Sequence, residues 1–198
     1  MAGVSVKDYF RDRCGIKGEE LLAEMEAITE IIYLKRGDIV LQQGQMAESV
    51  FFQAEGIMRG FFVDREGKEH TECFSGQFDL PAMPSADLSV PSPLTEEALT
   101  DGILLSLPTS SLFELVRKYP ELQEVYNRLL IGSMDIHYRI KRIFYEYDVK
   151  ERYQWYEKTF PKLLGKVNLR YVASFLNTTP ETLSRVRKEI KRESLKQG

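Results

Sequence analysis

The chain has 198 residues, 43% hydrophobic and 29% charged, which excludes wholesale disorder and leaves room for one domain or two small ones. Its 27 basic and 30 acidic side chains give a net charge of −3, which taken whole argues against nucleic acid. Apolar runs reach about four residues, as at Ile31–Leu34, against the roughly 20 that a membrane helix needs.

The first residues reach Lys7 and Asp8 without a hydrophobic stretch, so no secretory signal is expected. Two cysteines, Cys14 and Cys73, cannot build a disulfide framework, and a reducing cytoplasm is the simple reading, with no membrane partner. From Ile31 to Phe74, short β-rich runs alternate with glycines. The runs are Ile31–Leu34, Ile39–Leu41, Val50–Gln53, Ile57–Val63 and His70–Phe74, broken at Gly37, Gly44, Gly56 and Gly67. Residues 64–67 read as a hairpin loop in which Gly67 takes positive φ. Ile103–Leu107 reads as a closing strand, so an antiparallel jelly-roll or barrel is expected. Between them, residues 75–102 carry Pro81, Pro84, Pro91 and Pro93 and read as an irregular loop that could present a ligand site.

Helices follow Pro108. Ser111-Leu-Phe-Glu114 matches a capping box, and Pro120 ends that short helix. A long helix then runs from about Glu121 to Tyr147, about 40 Å at 1.5 Å per residue. Leu122, Leu129, Ile136 and Ile143 repeat every seven positions, and Tyr126, Ser133, Ile140 and Tyr147 fill the second heptad position. That stripe is read as a homodimer seam, against the plainer reading of a helix packed only on its own barrel. Gly132 weakens its middle by about 1 kcal/mol relative to Ala.

The charge is split along the chain. Residues 150–198 hold twelve bases and five acids, a balance of +7, and residues 1–149 carry −10. A basic module on an acidic body is implied, against the plainer reading of a Lys-rich solvated surface. Within the module, Val172, Ala173 and Leu176 share one helical face, and Leu183, Val186 and Ile190 share another. Between them, Asn177 suits a left-handed helix end, Thr179 a helix N-cap and Pro180 the first helical position. This is a helix-turn-helix pattern. The second helix then presents Glu181, Ser184, Arg185 and Lys188 outward. Arg185 can bond guanine, Glu181 can accept from cytosine, and Ser184 suits several bases. Arg170, Thr178, Thr179, Thr182 and Lys188 are candidate phosphate contacts.

Glu151-Arg-Tyr153, Phe160-Pro161, Val172-Ala-Ser-Phe-Leu176 and Thr179-Pro-Glu-Thr-Leu-Ser-Arg185 resemble the Crp/Fnr family of bacterial transcription regulators. The glycine-spaced stretch from Lys35-Arg-Gly37 through Glu55-Gly56 to Phe74-Ser-Gly76 resembles that family's cyclic-nucleotide-type jelly-roll. The resemblance implies an α+β fold: a β-barrel effector domain over residues 1–120, a dimerisation helix over 121–148, and an all-α, winged-helix-like helix-turn-helix domain over 149–198. It implies base reading by Glu181, Ser184 and Arg185, a homodimer on a palindromic operator in double-stranded DNA, and RNA polymerase as a further partner. Cyclic-nucleotide binders of the family carry a Gly-Glu pair and an Arg-Ser pair in one cassette. Here that stretch reads Phe78-Asp-Leu-Pro-Ala-Met-Pro, and no arginine lies between Lys68 and Arg117. A buried cyclic phosphate would lack its guanidinium partner, so the usual response to cyclic AMP is not expected. Two cysteines are too few for an iron–sulfur cluster, and His70 and His137 read as ordinary residues rather than haem ligands. No cofactor or metal is expected, and the effector is unassigned. No enzyme motif is present: there is no nucleophile elbow, phosphate-binding glycine loop or Cys-x-x-Cys pair. The alternative is a small-molecule sensor whose basic C-terminal helices bind a protein partner.

Overall fold

The computed structural model describes residues 4–75 and 89–197. Ser5 caps a short helix, α1 (Val6–Tyr9), which runs into a π-helical turn, Phe10–Cys14. Helix α2 (Glu19–Ile28) follows. Val6, Phe10 and Cys14, four residues apart, bury one face with Leu21, Leu22 and Met25.

Seven strands follow: β1 (Glu30–Leu34), β2 (Ile39–Leu41), β3 (Ser49–Glu55), β4 (Met58–Val63), β5 (Glu69–Ser75), β6 (Thr95–Ala98) and β7 (Gly102–Pro108). They form two antiparallel sheets, ordered β1-β7-β3 and β2-β6-β4-β5. Alternation along the strands assigns each side chain to a layer. Phe51 and Leu104 join Leu34, Met58 and Ala98 between the sheets, whereas Val50, Phe52, Leu105 and Leu107 pack outward on the N-terminal helices. Both faces of β7 are covered, which explains its nearly unbroken apolar run. The hairpin loop at residues 64–67 forms as expected, with Gly67 at φ 82°. Backbones also cross closely at Gly56 and Gly102. A Cβ on Gly102 would sit 2.5 Å from the Glu55 carbonyl oxygen, and Gly56 has φ 92°.

Two local expectations differ from the structure. Residues 75–102 are not irregular throughout, because β6 lies between β2 and β4 as a central strand. Its Thr-Glu-Glu-Ala sequence has poor strand propensity, and pairing on both edges overrides it. The Phe78–Pro84 stretch lies outside the described residues. The capping box at Ser111 and Glu114 does not form either. Helix α3 (Thr109–Lys118) begins two residues earlier, directly from β7, and Thr109 donates its N–H to the Glu48 carbonyl at 2.9 Å. A backbone bond to the residue before β3 thus satisfies the first N–H of the helix, and Ser111 lies inside it rather than at its cap.

Helix α4 (Pro120–Glu146) is the long helix, and its first turn is fastened to the N-terminal segment. The Glu121 carboxylate accepts the backbone N–H groups of Lys17 and Gly18 at 2.6 and 3.1 Å, and Arg128 donates to the Cys14 carbonyl. Four further helical segments complete the chain: α5 (Val149–Thr159), a 3₁₀ turn (Pro161–Leu163), α6 (Leu169–Phe175) and α7 (Pro180–Gln197). Among the described residues after 148 there is no strand, so no wing is formed there.

Candidate nucleic-acid interface

Helix α5 starts at a reciprocal cap: Glu151 N–H donates to Asp148 Oδ1, and Asp148 N–H to Glu151 Oε2, both at 2.9 Å. Arg152 donates to the carbonyls of Phe144, Tyr147 and Leu176, tying the ends of α4 and α6 to α5. Tyr153, Tyr156 and Phe160 are buried in a cluster with Phe175, Leu176, Leu183 and Val186. Each residue of Glu151-Arg-Tyr153 therefore has a structural task.

Asn168 caps α6, accepting the Arg170 N–H at 3.0 Å. The helix ends in a two-bond closure: Thr178 N–H donates to the Ala173 carbonyl at 2.9 Å, and Asn177 N–H to the Ser174 carbonyl at 3.0 Å. Asn177 takes φ 50°, the left-handed conformation its short polar side chain tolerates. Thr179 then accepts the Thr182 N–H at 3.2 Å, and α7 begins at Pro180. Ala173 is fully buried where α6 and α7 meet. The helix-turn-helix pattern is thus present in the fold, built almost wholly from local caps.

Leu183 and Val186 are buried and Ile190 packs against the same cluster, so α7 turns Glu181, Arg185 and Lys188 outward, with Ser184 at the edge. None of these four polar side chains has a hydrogen bond or ion pair among the described residues. They form an unpaired donor and acceptor set on the first two and a half turns. Arg170 and Thr179 are exposed, and Thr178 and Thr182 half-buried. The Thr179 and Thr182 hydroxyls bond each other at 3.2 Å. Further along, Lys150 bridges Glu189 and Glu193 at 2.9 and 2.6 Å, so those acids fasten α5 to α7 and lie away from the outward set.

A cleft of about 290 Å³ separates the turn from the β4–β5 hairpin, with Lys68, His70, Arg170, Asn177 and Thr178 among its walls. His70 bonds Asp64 at 2.6 Å and stacks on Phe62, and this bond holds the Asp64 carboxyl below its ordinary value. His137 lies on an exposed face of α4, its ring nitrogen 2.8 Å from the Ser133 carbonyl oxygen. Among the described residues no cluster of His, Cys, Asp or Glu could hold a metal ion.

The expected seam residues divide along α4. Leu122 is buried in the N-terminal core, against which Leu129 packs. Ile140 packs on the C-terminal core, Ile143 is buried, and Tyr126, Ser133 and Ile136 are half-buried. Tyr147 lies just past the helix end, 38% exposed. The open apolar face is a different one: Ile131, Met134, Tyr138 and Tyr145, at 68, 73, 63 and 81% exposure. At about 100° per residue it is turned roughly half-way round the helix from the expected stripe. Two further residues were not singled out in the sequence: Arg59, a charge inside the apolar run Ile57–Val63, and Glu96 on the unexpected β6.

Fold and sequence define a class: a β-roll of the cyclic-nucleotide-binding kind joined through a long helix to a helix-turn-helix. The cyclic nucleotide-binding domain family matches residues 31–119. The transcriptional activator FnrA of Stutzerimonas stutzeri is 27% identical over 113 residues, 55% of this chain and 46% of that protein. Anr of Pseudomonas protegens is 26% identical over the same shares. Each match thus takes in about half the length of these relatives. Among solved structures, FixK2 from Bradyrhizobium japonicum superposes with a TM-score of 0.73 at 17% identity, covering 84% of this chain and 86% of that one. The c-di-GMP-responsive regulator CLP of Xanthomonas campestris gives 0.69 at 13% identity, covering 90 and 94%. In sequence and fold the chain is similar to regulators of the Crp/Fnr type, and the curated relatives it matches are transcriptional activators. No helix among the described residues is long and apolar enough to cross a membrane.

Proposed function

We propose that this chain is a homodimeric, sequence-specific DNA-binding transcription regulator that does not answer to cyclic AMP in the usual way. The observation that carries the reading is α7 itself. A helix fixed by the turn at Asn177–Thr179 offers Glu181, Ser184, Arg185 and Lys188 outward and unpaired at its N-terminal end, within a segment of net charge +7. Such a helix suits the major groove, with Glu181, Ser184 and Arg185 on base edges. Arg170, Thr178, Thr179, Thr182 and Lys188 would hold phosphates on either side.

Pairing of two copies along α4, through the face of Ile131, Met134, Tyr138 and Tyr145, would cover the exposed apolar side chains. Two recognition helices would then meet successive half-sites of a palindrome, about 34 Å apart. Residues 1–120 serve as the effector unit, 121–148 as the dimer helix and 149–198 as the DNA-binding unit. The absence of arginine between Lys68 and Arg117 supports a barrel that does not bind cyclic AMP in the usual way.

Selection of bound duplexes from a random pool, followed by affinity against salt, tests the reading. A regulator should yield a palindrome and lose affinity steeply with salt, in proportion to the phosphates neutralised. Arg185→Ala should cost about 1–3 kcal/mol on the selected site and relax preference at one position of each half-site. If wild type and Arg185→Ala bind every duplex equally weakly, the recognition-helix assignment is wrong.

A further inference from the structure

Arg59 of β4 is the bulkiest fully buried side chain among the described residues, at 1% exposure, and base reading gives it no task. Each of its three guanidinium nitrogens bonds a side chain of the barrel. Nε donates to Thr71 Oγ1 at 2.9 Å, one terminal nitrogen to Glu97 at 3.2 Å and the other to Glu69 at 2.8 Å. Its guanidinium carbon lies over two rings, Phe61 at 4.1 Å on the barrel and Tyr171 at 4.0 Å on α6. A planar cation bonded through all three nitrogens and placed over two rings has little freedom to turn. Through Tyr171, that orientation passes to the helix-turn-helix.

Two neighbouring contacts fix the same helix. β5 is an edge strand, and the N–H of its Thr71 donates to Ser174 Oγ of α6 at 2.9 Å. Phe74 of β5 packs its ring on Phe175 at 5.3 Å. Tyr171, Ser174 and Phe175 form one face of α6, two residues ahead of the turn that starts α7. Arg59, Tyr171 and Ser174 also line one cleft with Asn177, Thr178 and Pro180.

We propose that Arg59 is the positioning residue that pins the helix-turn-helix to the barrel, and that this pin sets the half-site spacing the dimer accepts. The proposal rests on the DNA-binding reading above. Each recognition helix is rigidly related to its barrel through Arg59–Tyr171, and hence to the dimer helix. One base pair more between half-sites displaces the second site by about 3.4 Å and a tenth of a turn. A pinned pair of helices cannot follow that change, and an unpinned pair can.

The test uses full-length wild type, Arg59→Gln, Arg59→Lys and Tyr171→Leu. Their affinities are measured on the selected palindrome, on spacers one base pair shorter and longer, and on an isolated half-site. Wild type should prefer the selected spacing at least tenfold. Arg59→Gln should keep the half-site affinity and salt slope of wild type while its spacing preference falls to within threefold. Arg59→Lys should not rescue it, since an ammonium cannot lie flat over two rings while bonding three partners. Hydrogen exchange supplies a readout that does not depend on DNA: Thr71 and residues 169–176 should lose protection in Arg59→Gln, with α2 unchanged. If Arg59→Gln fails to fold, Tyr171→Leu, which leaves the barrel contacts of Arg59 in place, should give the same two results. Full spacing preference in a folded Arg59→Gln protein, or unchanged protection of Thr71 and α6, overturns the pin. A wild type that binds no duplex overturns the DNA reading, and the exchange experiment then still decides whether Arg59 holds α6.

Discussion

Replacing Glu96 by glutamine should make the protein more stable at pH 8 than at pH 4.5, relative to wild type. Glu96 is 5% exposed on the central strand β6, opposite Gly60, and its Oε2 has no hydrogen-bond partner. Burial favours the neutral acid and raises the carboxyl from 4.5 to about 7. The folded protein therefore keeps a proton that the unfolded chain releases between those values. The stabilisation is complete below pH 4.5 and is lost as the pH rises through 7. The rise from 4.5 to about 7 corresponds to roughly 3 kcal/mol, at about 1.4 kcal/mol per pH unit. Urea unfolding of wild type and Glu96→Gln at five pH values from 4.5 to 8.5 gives the difference directly, because every other titrating group is common to the two. The difference should grow by about 3 kcal/mol in favour of the Glu96→Gln protein across the range. A difference that stays constant with pH would show that Glu96 is not held as a buried neutral acid.

Three further outcomes follow from named contacts. Asn177→Gly should leave stability within about 1 kcal/mol of wild type while Asn177→Val costs about 1–2 kcal/mol more, because position 177 sits at φ 50°; urea melts that rank Val with Gly would contradict this. Asp148→Ala should cost about 1 kcal/mol in the same assay by removing the α5 cap, without altering which bases are preferred in duplex selection. Tyr138→Lys should shift the protein toward monomer in light scattering while Ile136→Lys chiefly lowers the melting temperature, because Tyr138 is 63% exposed and Ile136 half-buried; the opposite pattern would return the seam to the Leu122–Tyr147 stripe.

The parts of the fold legible in the sequence are those specified locally. The helix-turn-helix was readable because its turn is made of caps: Asn177, Thr179 and Pro180 each act on backbone groups within five residues. Six strands were readable because apolar runs and glycines mark them. β6 was not, since Thr-Glu-Glu-Ala becomes a strand only through β2 and β4 on either side. Nor were the N-terminal helices singled out, although Val6, Phe10 and Cys14 carry the four-residue spacing of a buried face.

The long helix and Arg59 show where local reading stops. α4 carries two apolar repeats of seven, one through Leu122, Leu129, Ile136 and Ile143 and one through Ile131, Tyr138 and Tyr145. Periodicity cannot rank them, because either stripe would serve a partner helix. What distinguishes them in the structure is that the chain's own N-terminal core takes Leu122 and Leu129, and its C-terminal core takes Ile140. Likewise, a charge in an apolar strand reads as a solvent-facing position until the elements that cover it are known. At Arg59 the covering element is α6, more than a hundred residues away in sequence, and the guanidinium carbon lies over its Tyr171 ring. The split of charge into −10 and +7 then gains a structural meaning. The basic module touches the acidic body at an arginine the body itself supplies, and the proposed pin would give its outward cations on α7 a fixed direction.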